Sequence, residues 1–403
     1  MDTPPDSDVL VTHEPIWSTI RNQMMEYNDS TILPEILQNA DDANSKEITF
    51  ILDSNSYGVN SLIRHPKHGG RDPSPLQVPS LVIINDSVFK EKDWKGISLN
   101  GTGSKQKDVN AVGKFGRGFN SVYHLTDCPQ IVSGQTFYMP DVLGKYYPPC
   151  ADGNGYSQRY EYLTSLDDQF EPFRVHGCKK DEKVFNGTMI RLPLRTDDSQ
   201  IGVAKTVEDV KELFQRFIAM GPYSILFLRN VRKMTLIVDG IKVFETEAEQ
   251  AGDMTAKINT IKDFLSNISK IIRGQDTLEQ FRHHLGQQNW SGFPVVHYPL
   301  GVRSHDFESG LVSSSKWLIT LGYHYSPTIH DIINHKSMKT TKLIPTAGIA
   351  TPLKHDPNFR GRLFCYLPIG TMTTNLPVHI HGYFYTTSSL LSFSSKIANL
   401  GSS

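Results

Sequence analysis

Two short segments of this chain carry side chains whose types and spacing suit joint chemistry. In Glu35-Ile36-Leu37-Gln38-Asn39-Ala40-Asp41-Asp42-Ala43, a carboxylate and a carboxamide stand four residues apart, one turn of a helix. Far downstream, Gly113-Lys114-Phe115-Gly116-Arg117-Gly118 is a glycine-rich run placed before an apolar segment. Asn39 offers a neutral amide oxygen suited to Mg²⁺, which takes oxygen ligands and keeps several waters. Glu35 can orient and deprotonate a water for attack on a phosphate, and a positioned general base is typically worth ~10²–10⁴ in rate. Gly113, Gly116 and Gly118 let the backbone approach phosphates, and a helix beginning after Gly118 adds N–H donors and a dipole. Asp86, at the end of the apolar run 80–85, can accept from the exocyclic amine of adenine and so select ATP over GTP. A fourth element, Gly187-Thr188, precedes an alternating segment. The glutamate–asparagine spacing alone is expected roughly once by chance in a chain this long. The ordered conjunction is what points to a pocket holding a magnesium nucleotide from two sides.

The elements that position these residues follow from periodicity and breakers. Residues 15–27 read as an amphipathic helix, with Ile16, Ile20 and Met24 at four-residue spacing. A second helix starts near Ser30 as N-cap and tolerates Pro34 in its first turn. Leu33, Ile36, Leu37 and Ala40 form its buried stripe, while Glu35, Asn39 and Asp42 share the neighbouring polar stripe. Strands are expected at 47–52, 80–85, 130–138 and 188–194, with Pro193 marking an edge or a bulge. Residues 53–79 are rich in Gly, Pro and Ser and read as a long loop, in which His65 and His68 are solvated. Residues 100–110 read as mobile, 119–125 as a helix and 140–183 as irregular.

Beyond residue 200 the character shifts. Thr206-Val207-Glu208-Asp209 opens a helix as a capping box, with Val210, Leu213, Phe214, Phe217 and Ile218 on its apolar face. Strands follow at 223–228 and 234–244, the latter folded into a hairpin at Asp239-Gly240. Ile258, Ile261, Leu265, Ile268 and Ile272 mark another helix, and strands are expected at 293–302, 316–323, 363–367 and 377–385. Arg229, Arg232 and Lys233 read as a solvated basic turn rather than a reach to a γ-phosphate. His379 and His381 share one face of a strand. With no third ligand evident, packing outweighs a metal site.

The length of 403 residues suggests about two to three domains. Lys and Arg number 41 against 42 Asp and Glu, a balance that argues against a dedicated nucleic-acid binder. The N-terminus lacks a secretory apolar region, and no run approaches the ~20 apolar residues of a membrane span. Cys128, Cys150, Cys178 and Cys365 are scattered, which fits reduced thiols in the cytoplasm.

The order and spacing of the four elements resemble the GHKL ATPase superfamily, which includes gyrase, the ninety-kilodalton heat-shock chaperone, histidine kinases and MutL. Asn85-Asp86-Ser87 resembles the chaperone's adenine-binding strand end, and 112–121 resembles its lid segment. At finer grain the chain is similar to a sacsin repeat. The likeness lies in Leu37-Gln38-Asn39-Ala40-Asp41-Asp42-Ala43, Asp93-Trp94-Lys95-Gly96-Ile97 and Gly118-Phe119-Asn120-Ser121-Val122-Tyr123-His124-Leu125-Thr126-Asp127. It continues in Ala347-Gly348-Ile349-Ala350-Thr351-Pro352-Leu353 and Leu376-Pro377-Val378-His379-Ile380-His381-Gly382-Tyr383-Phe384. The resemblance covers about residues 14–385, and the plant NO VEIN proteins share its ATPase-like part.

The resemblance implies an α+β fold. A GHKL (Bergerat-type) two-layer α/β sandwich with a mixed sheet would span 13–200, with 53–79 as a loop insertion and 100–118 as a lid. A second α/β domain would span 201–386, flanked by flexible ends at 1–12 and 387–403. Glu35 is the implied catalytic residue. Asn39, Asp42, Asp86, Lys105, Gly113, Phe115, Gly116, Gly118, Phe119 and Thr188 are the implied nucleotide ligands, with Asn39 holding Mg²⁺ through ATP. Lys105 resembles the lid lysine near the phosphates, and the Thr188 hydroxyl supports the adenine site. The implied activity is ATP binding with slow or conditional hydrolysis in a chaperone-related protein of protein quality control. Its expected partners are protein clients or chaperones, with the seventy-kilodalton heat-shock chaperone system as a candidate, and no nucleic acid or membrane.

One departure stands out. The superfamily's Asp–x–Gly–x–Gly turn becomes Asp86-Ser87-Val88-Phe89-Lys90, so both glycines are missing, as they generally are in sacsin-like repeats. Side chains there narrow or fill the purine slot. This motivates a second reading, a non-hydrolysing scaffold that keeps the fold for protein contacts. A DNA-linked machine of the MutL or gyrase type is a third, disfavoured by the neutral charge balance.

Overall fold

The computed structural model describes residues 15–26, 29–64, 71–98, 118–147, 155–249, 257, 259–260, 295–323 and 346–382. Six helices are described: α1 (Ile16–Glu26), α2 (Ile32–Asp42), α3 (Glu91–Ser98), α4 (Tyr160–Leu163), α5 (Asp167–Arg174) and α6 (Val207–Ile218). Between α2 and α6 in chain order run β1 (Glu47–Asp53), β2 (Ser80–Asn85), β3 (Gln130–Gly134), β4 (Thr136–Pro140), β5 (Gly155–Arg159) and β6 (Phe185–Pro193). After α6 come β7 (Lys233–Val238), β8 (Ile241–Glu249), β9 (Val295–Asp306), β10 (Leu311–Tyr323), β11 (Thr346–Pro352), β12 (Arg362–Cys365), β13 (Leu367–Thr373) and β14 (His379–Gly382).

The described strands form one sheet in the order β13-β12-β14-β11-β10-β9-β8-β7-β1-β2-β6-β3-β4-β5. Its pairings are antiparallel except β1 with β7 and β12 with β14. The protein is therefore of mixed α+β class with a large mixed sheet and few helices. The expected division near residue 200 falls between β6 and α6. There β7 docks parallel to β1, and β8 and β9 extend the sheet onward without a break.

Alternation along the strands explains their apolar runs. Phe50, Leu52, Leu81, Ile83, Ile190 and Leu192 face one core, shared with Leu33, Ile36 and Leu37 of α2 and Leu213 and Phe217 of α6. Ile51, Val82, Val132, Phe137 and Met189 face a second core, closed by Leu163, Phe170 and Phe173 from α4 and α5 and by Ile63 and Leu76. Both faces of β2 are thus buried, which is why 80–85 lacks polar alternation. The expected two layers are three here, because the segment expected to be irregular supplies β5, α4 and α5.

Local chemistry accounts for other elements. The Thr206 hydroxyl accepts from the Asp209 amide at 3.2 Å, and the Asp209 carboxylate accepts from the Thr206 amide at 2.7 Å, closing the capping box. Asp239 (φ 47°) and Gly240 (φ 80°) give the β7–β8 turn the paired positive φ of a type I′ hairpin. Thr31, not Ser30, flanks α2 and makes no side-chain cap. Burial of Ile32, Leu33, Ile36, Leu37 and Ala40 holds that helix instead.

Several expectations are corrected. Residues 130–138 form the β3–β4 hairpin, turning at Gly134 (φ 55°), rather than one strand. Pro193 ends β6, which lies inside the sheet between β2 and β3. Residues 223–228 are no strand. A 3-10 turn at Gly221–Tyr223 leads into turns, with the Ser224 hydroxyl donating to Gly221 O at 2.7 Å. Ile225, Leu226, Phe227 and Leu228 are buried all the same, so the apolar run reflected core position and not extension. Segment 119–125 is a 3-10 helix, Gly118–His124. The expected helix at 258–272 and the lid at 100–117 lie outside the described residues, apart from 259–260.

Candidate functional site

The floor of the candidate site is α2. Glu35 and Asn39 lie half-buried on its polar stripe, one turn apart. Gly118 meets them: a Cβ there would fall 2.2 Å from Glu35 Oε2 and 3.7 Å from Asn39 Nδ2. Only a residue without a side chain lets the backbone pass this close to the carboxylate. The last glycine of the run is thus brought onto the Glu35–Asn39 pair. Lys105, Gly113, Phe115 and Gly116 lie outside the described residues.

The 3-10 helix beginning at Gly118 is held at both ends. The Ser121 hydroxyl donates to Gly118 O at 2.7 Å, and Asn120 Nδ2 donates to Gln23 Oε1 of α1 at 2.7 Å. Phe119 packs half-buried on the first core. At the far end the Arg195 guanidinium donates to Tyr123 O at 2.6 Å, Thr126 O at 3.2 Å and His124 O at 3.3 Å. Its Nε donates to Asp127 Oδ1 at 2.6 Å, and both side chains are buried. Arg195 neutralises the carbonyl end of the helix whose start faces Glu35.

Asp86 lies at the other end of α2, beyond the end of β2. Its Oδ1 accepts from the Ser45 hydroxyl, from the Lys46 amide at 2.8 Å and from the Glu47 amide at 3.3 Å. Burial pushes this carboxyl up, but the Ser45 hydroxyl and the two amides outweigh it and hold it below the usual carboxylate range. Asp86 therefore stays an anionic acceptor while pinning the α2–β1 connection.

The turn after Asp86 is tied down by hydroxyls. Ser87 Oγ donates to Ala43 O at 2.5 Å, and the fully buried Thr188 donates from Oγ1 to Ser87 O at 2.6 Å. Thr188 and Ser133 share a hydrogen bond of 2.7 Å, and the Phe89 amide donates to Ser133 Oγ at 2.8 Å. Val88 is 46% exposed and lies against Gly134. Phe89 meets Trp94 edge-on at 5.0 Å, and Trp94 meets Tyr138 at 6.3 Å.

Asp42 sits one turn below Asn39 and pairs with Arg229, whose Nη2 donates to Asp42 Oδ1 at 2.9 Å. Asp41 is fully buried and accepts from the amides of Asn230 at 2.6 Å, Val231 at 2.9 Å and Arg229 at 3.2 Å. The Arg232 guanidinium donates to the carbonyls of Leu228, Arg229 and Val231. The turn expected to be a solvated basic surface is therefore corrected to a buried strap, because α2's two terminal carboxylates accept from it.

His379 and His381 are 0% and 2% exposed. His379 Nδ1 accepts from the Arg362 amide at 2.9 Å, and His381 Nδ1 accepts from the Tyr366 amide at 3.1 Å. Trp317 stacks on His379 at 4.9 Å, and Phe227 stacks on His381 at 4.9 Å. Burial, with the Arg362 charge added, pushes the His379 imidazole down to about 4. Among the described residues no group of three or more metal-ligating side chains is assembled.

Arg195, Ser45 and Ser133 were not singled out from the sequence, whereas Asp41 stands in the quoted segment that begins at Glu35. Asp127, the partner of Arg195, does belong to the motif that begins at Gly118. The others act through tertiary neighbours 40 or more positions away and leave no local pattern.

Fold and site together define an α+β protein in which one helix sets a carboxylate–amide pair against the end of a glycine run. The Sacsin domain family model matches residues 13–251, which takes in β1 through β8 and every described candidate residue. The chain is 30% identical over 404 residues to sacsin of Homo sapiens, an alignment covering 93% of this chain and 8% of that protein. The chain belongs to the sacsin-domain family. It spans only a small part of that relative's length. Among the described residues, no helix is long and apolar enough to cross a membrane.

Proposed function

We propose that the protein binds Mg·ATP along α2 in a GHKL-type site and hydrolyses it slowly or conditionally. The observation that carries this reading is the meeting of Glu35 and Asn39 with Gly118. Gly118 packs directly against the pair, so a phosphate held by backbone N–H groups that follow it would lie beside Glu35 and Asn39. The nine residues from Glu35 to Ala43, where Ser87 docks, span about 12 Å along the helix axis, room for a triphosphate at one end and a base at the other.

The donor set fits the group at the phosphate end. Asn39 Oδ1 would hold Mg²⁺, which supplies neutralisation of phosphate charge when bound. Glu35 would orient water and accept its proton, and Arg195 would keep the Gly118 helix in place. At the purine end Asp86 would accept an exocyclic amine, its anionic state secured by Ser45, Lys46 and Glu47. Thr188 would act there through Ser87, which its hydroxyl already holds. A chaperone-related role in protein quality control in the cytoplasm, with protein clients or chaperones as partners, belongs to the same proposal.

A second reading, a non-hydrolysing scaffold, draws on the purine end. There Thr188, Ser133 and Ser87 satisfy one another without a ligand. Phosphate release by wild type and Glu35→Ala separates the two readings. Loss of release in the variant supports hydrolysis at this site. Binding without release in either protein supports the scaffold, and release unchanged in Glu35→Ala removes the catalytic assignment.

A further inference from the structure

The segment 221–231 lies between α2 and the strands farthest from it in sheet order. On one side Asp41 takes the amides of Arg229, Asn230 and Val231, and Asp42 takes the Arg229 guanidinium. On the other side the same guanidinium lies 5.4 Å from the centre of the Tyr366 ring, in the turn between β12 and β13. Tyr366 has φ 64°, the left-handed region unusual for a residue with a side chain. Its amide donates to His381 Nδ1 of β14, and its ring meets the His381 ring at 4.6 Å. Phe227 stacks on the same imidazole. Further along the strap, Tyr223 touches Trp317 of β10, His379 of β14 and the Arg362 guanidinium of β12.

We infer that Arg229 is a positioning residue that couples the last turn of α2 to β12–β14, through Asp42 on one side and Tyr366 on the other. The pair is 9% and 5% exposed in its side chains, so the charge attraction is little screened by solvent. The guanidinium is planar. It can hold a carboxylate with its edge and an aromatic ring with its face at once, which a lysine ammonium cannot do. Because Asn39 lies one turn from Asp42, a shift of α2 that accompanies ligand binding reaches Tyr366 through one side chain. By linkage, a shift of β12–β14 alters the floor of the site by the same free energy. The coupling itself stands on the contacts above. Its use in regulating nucleotide rests on the Mg·ATP reading.

Hydrogen exchange tests the joint in two arms. Without ligand, Tyr366→Leu removes the ring face while keeping an apolar side chain. It should speed exchange of the Asn230 and Val231 amides and the last turn of α2 by roughly tenfold, the scale of a coupled contact pair. Tyr366→Phe keeps the ring face and should match wild type. In an Arg229→Met background the added Tyr366→Leu change should loosen only β12–β14. The reverse probe is Asp42→Asn, which should speed exchange of the Tyr366 amide. If Tyr366→Leu leaves α2 untouched, or loosens it equally in both backgrounds, the joint is overturned. In the second arm Mg·ATP should slow exchange at α2 and alter β12–β14 in wild type, and alter α2 alone in Arg229→Met. No change anywhere with Mg·ATP sinks the nucleotide reading and leaves the first arm to decide the joint. An equal response of β12–β14 in wild type and Arg229→Met sinks the joint.

Discussion

The two ends of α2 are built on opposite plans. At the Glu35 end the chain removes bulk: Gly118 lies where any Cβ would strike the carboxylate. At the Asp86 end it adds polar atoms, and Ser45, Ser87, Ser133 and Thr188 tie the turn that follows Asp86. The first plan brings backbone directly against the carboxylate–amide pair. The second lets side chains do the holding. On the proposed Mg·ATP reading, such a site would concentrate its binding on phosphate and metal and ask less of the purine.

Stability and phosphate release put the contrast to the test. Arg195→Ala should be the most damaging, because it leaves the buried Asp127 charge uncompensated. A loss of about 3–5 kcal/mol is expected in urea unfolding. Collapse of the Gly118 helix should show in the same experiment as loss of its amide protection. A change under about 1 kcal/mol would contradict the role assigned to Arg195.

Next in size is acidification. The His379 imidazole is held at about 4 when folded, below its ordinary 6.5, so the unfolded chain binds the proton more readily. The stability it contributes is present in full above 6.5 and is lost as pH falls from 6.5 through 4, by up to about 1.4 kcal/mol per pH unit. Unfolding midpoints at pH 7 and pH 5 measure this slope, and His379→Gln should flatten it. Asp86 adds a smaller loss at lower pH, because its carboxyl is depressed when folded and its contribution fades as pH drops through the carboxylate range.

Thr188→Val keeps the shape but strips the hydroxyl from Ser87 O and Ser133. It should cost about 1–3 kcal/mol, with Thr188→Ser retaining most of the stability. Equal stability of the valine variant would mean the hydroxyl lattice holds nothing. The mildest change in stability belongs to Gly118→Ala. The new methyl meets the tip of a flexible glutamate, which can swing aside at a cost within about 1 kcal/mol. Phosphate release should nonetheless fall by roughly 10²-fold, because the carboxylate leaves its place.

What the sequence disclosed was local. The capping box at Thr206–Asp209 and the Asp239–Gly240 hairpin are written in adjacent residues, and both form as read. The Glu35–Asn39 stripe and Gly118 could be recognised because helix spacing and glycine content are visible without a fold. Long-range placement was not legible. The β1–β7 pairing joins residues nearly 190 positions apart, and no periodicity announces it. The buried strap at 225–231 read first as a strand and then as a solvated basic turn. Its partners, Asp41, Asp42, Tyr366 and His381, lie far away in sequence. The layer made by α4 and α5 was missed because those helices are short, and Pro172 interrupts the pattern of the second.

The proposed Mg·ATP site along α2 would hold most of its affinity at the Asn39 end. Calorimetric titration of ATP, with and without Mg²⁺, into wild type, Asn39→Ala and Asp86→Asn tests it most directly. Binding to wild type should depend on Mg²⁺, be lost in Asn39→Ala and remain weaker but measurable in Asp86→Asn. Absence of binding to wild type, or binding that Asn39→Ala leaves unchanged, would contradict it.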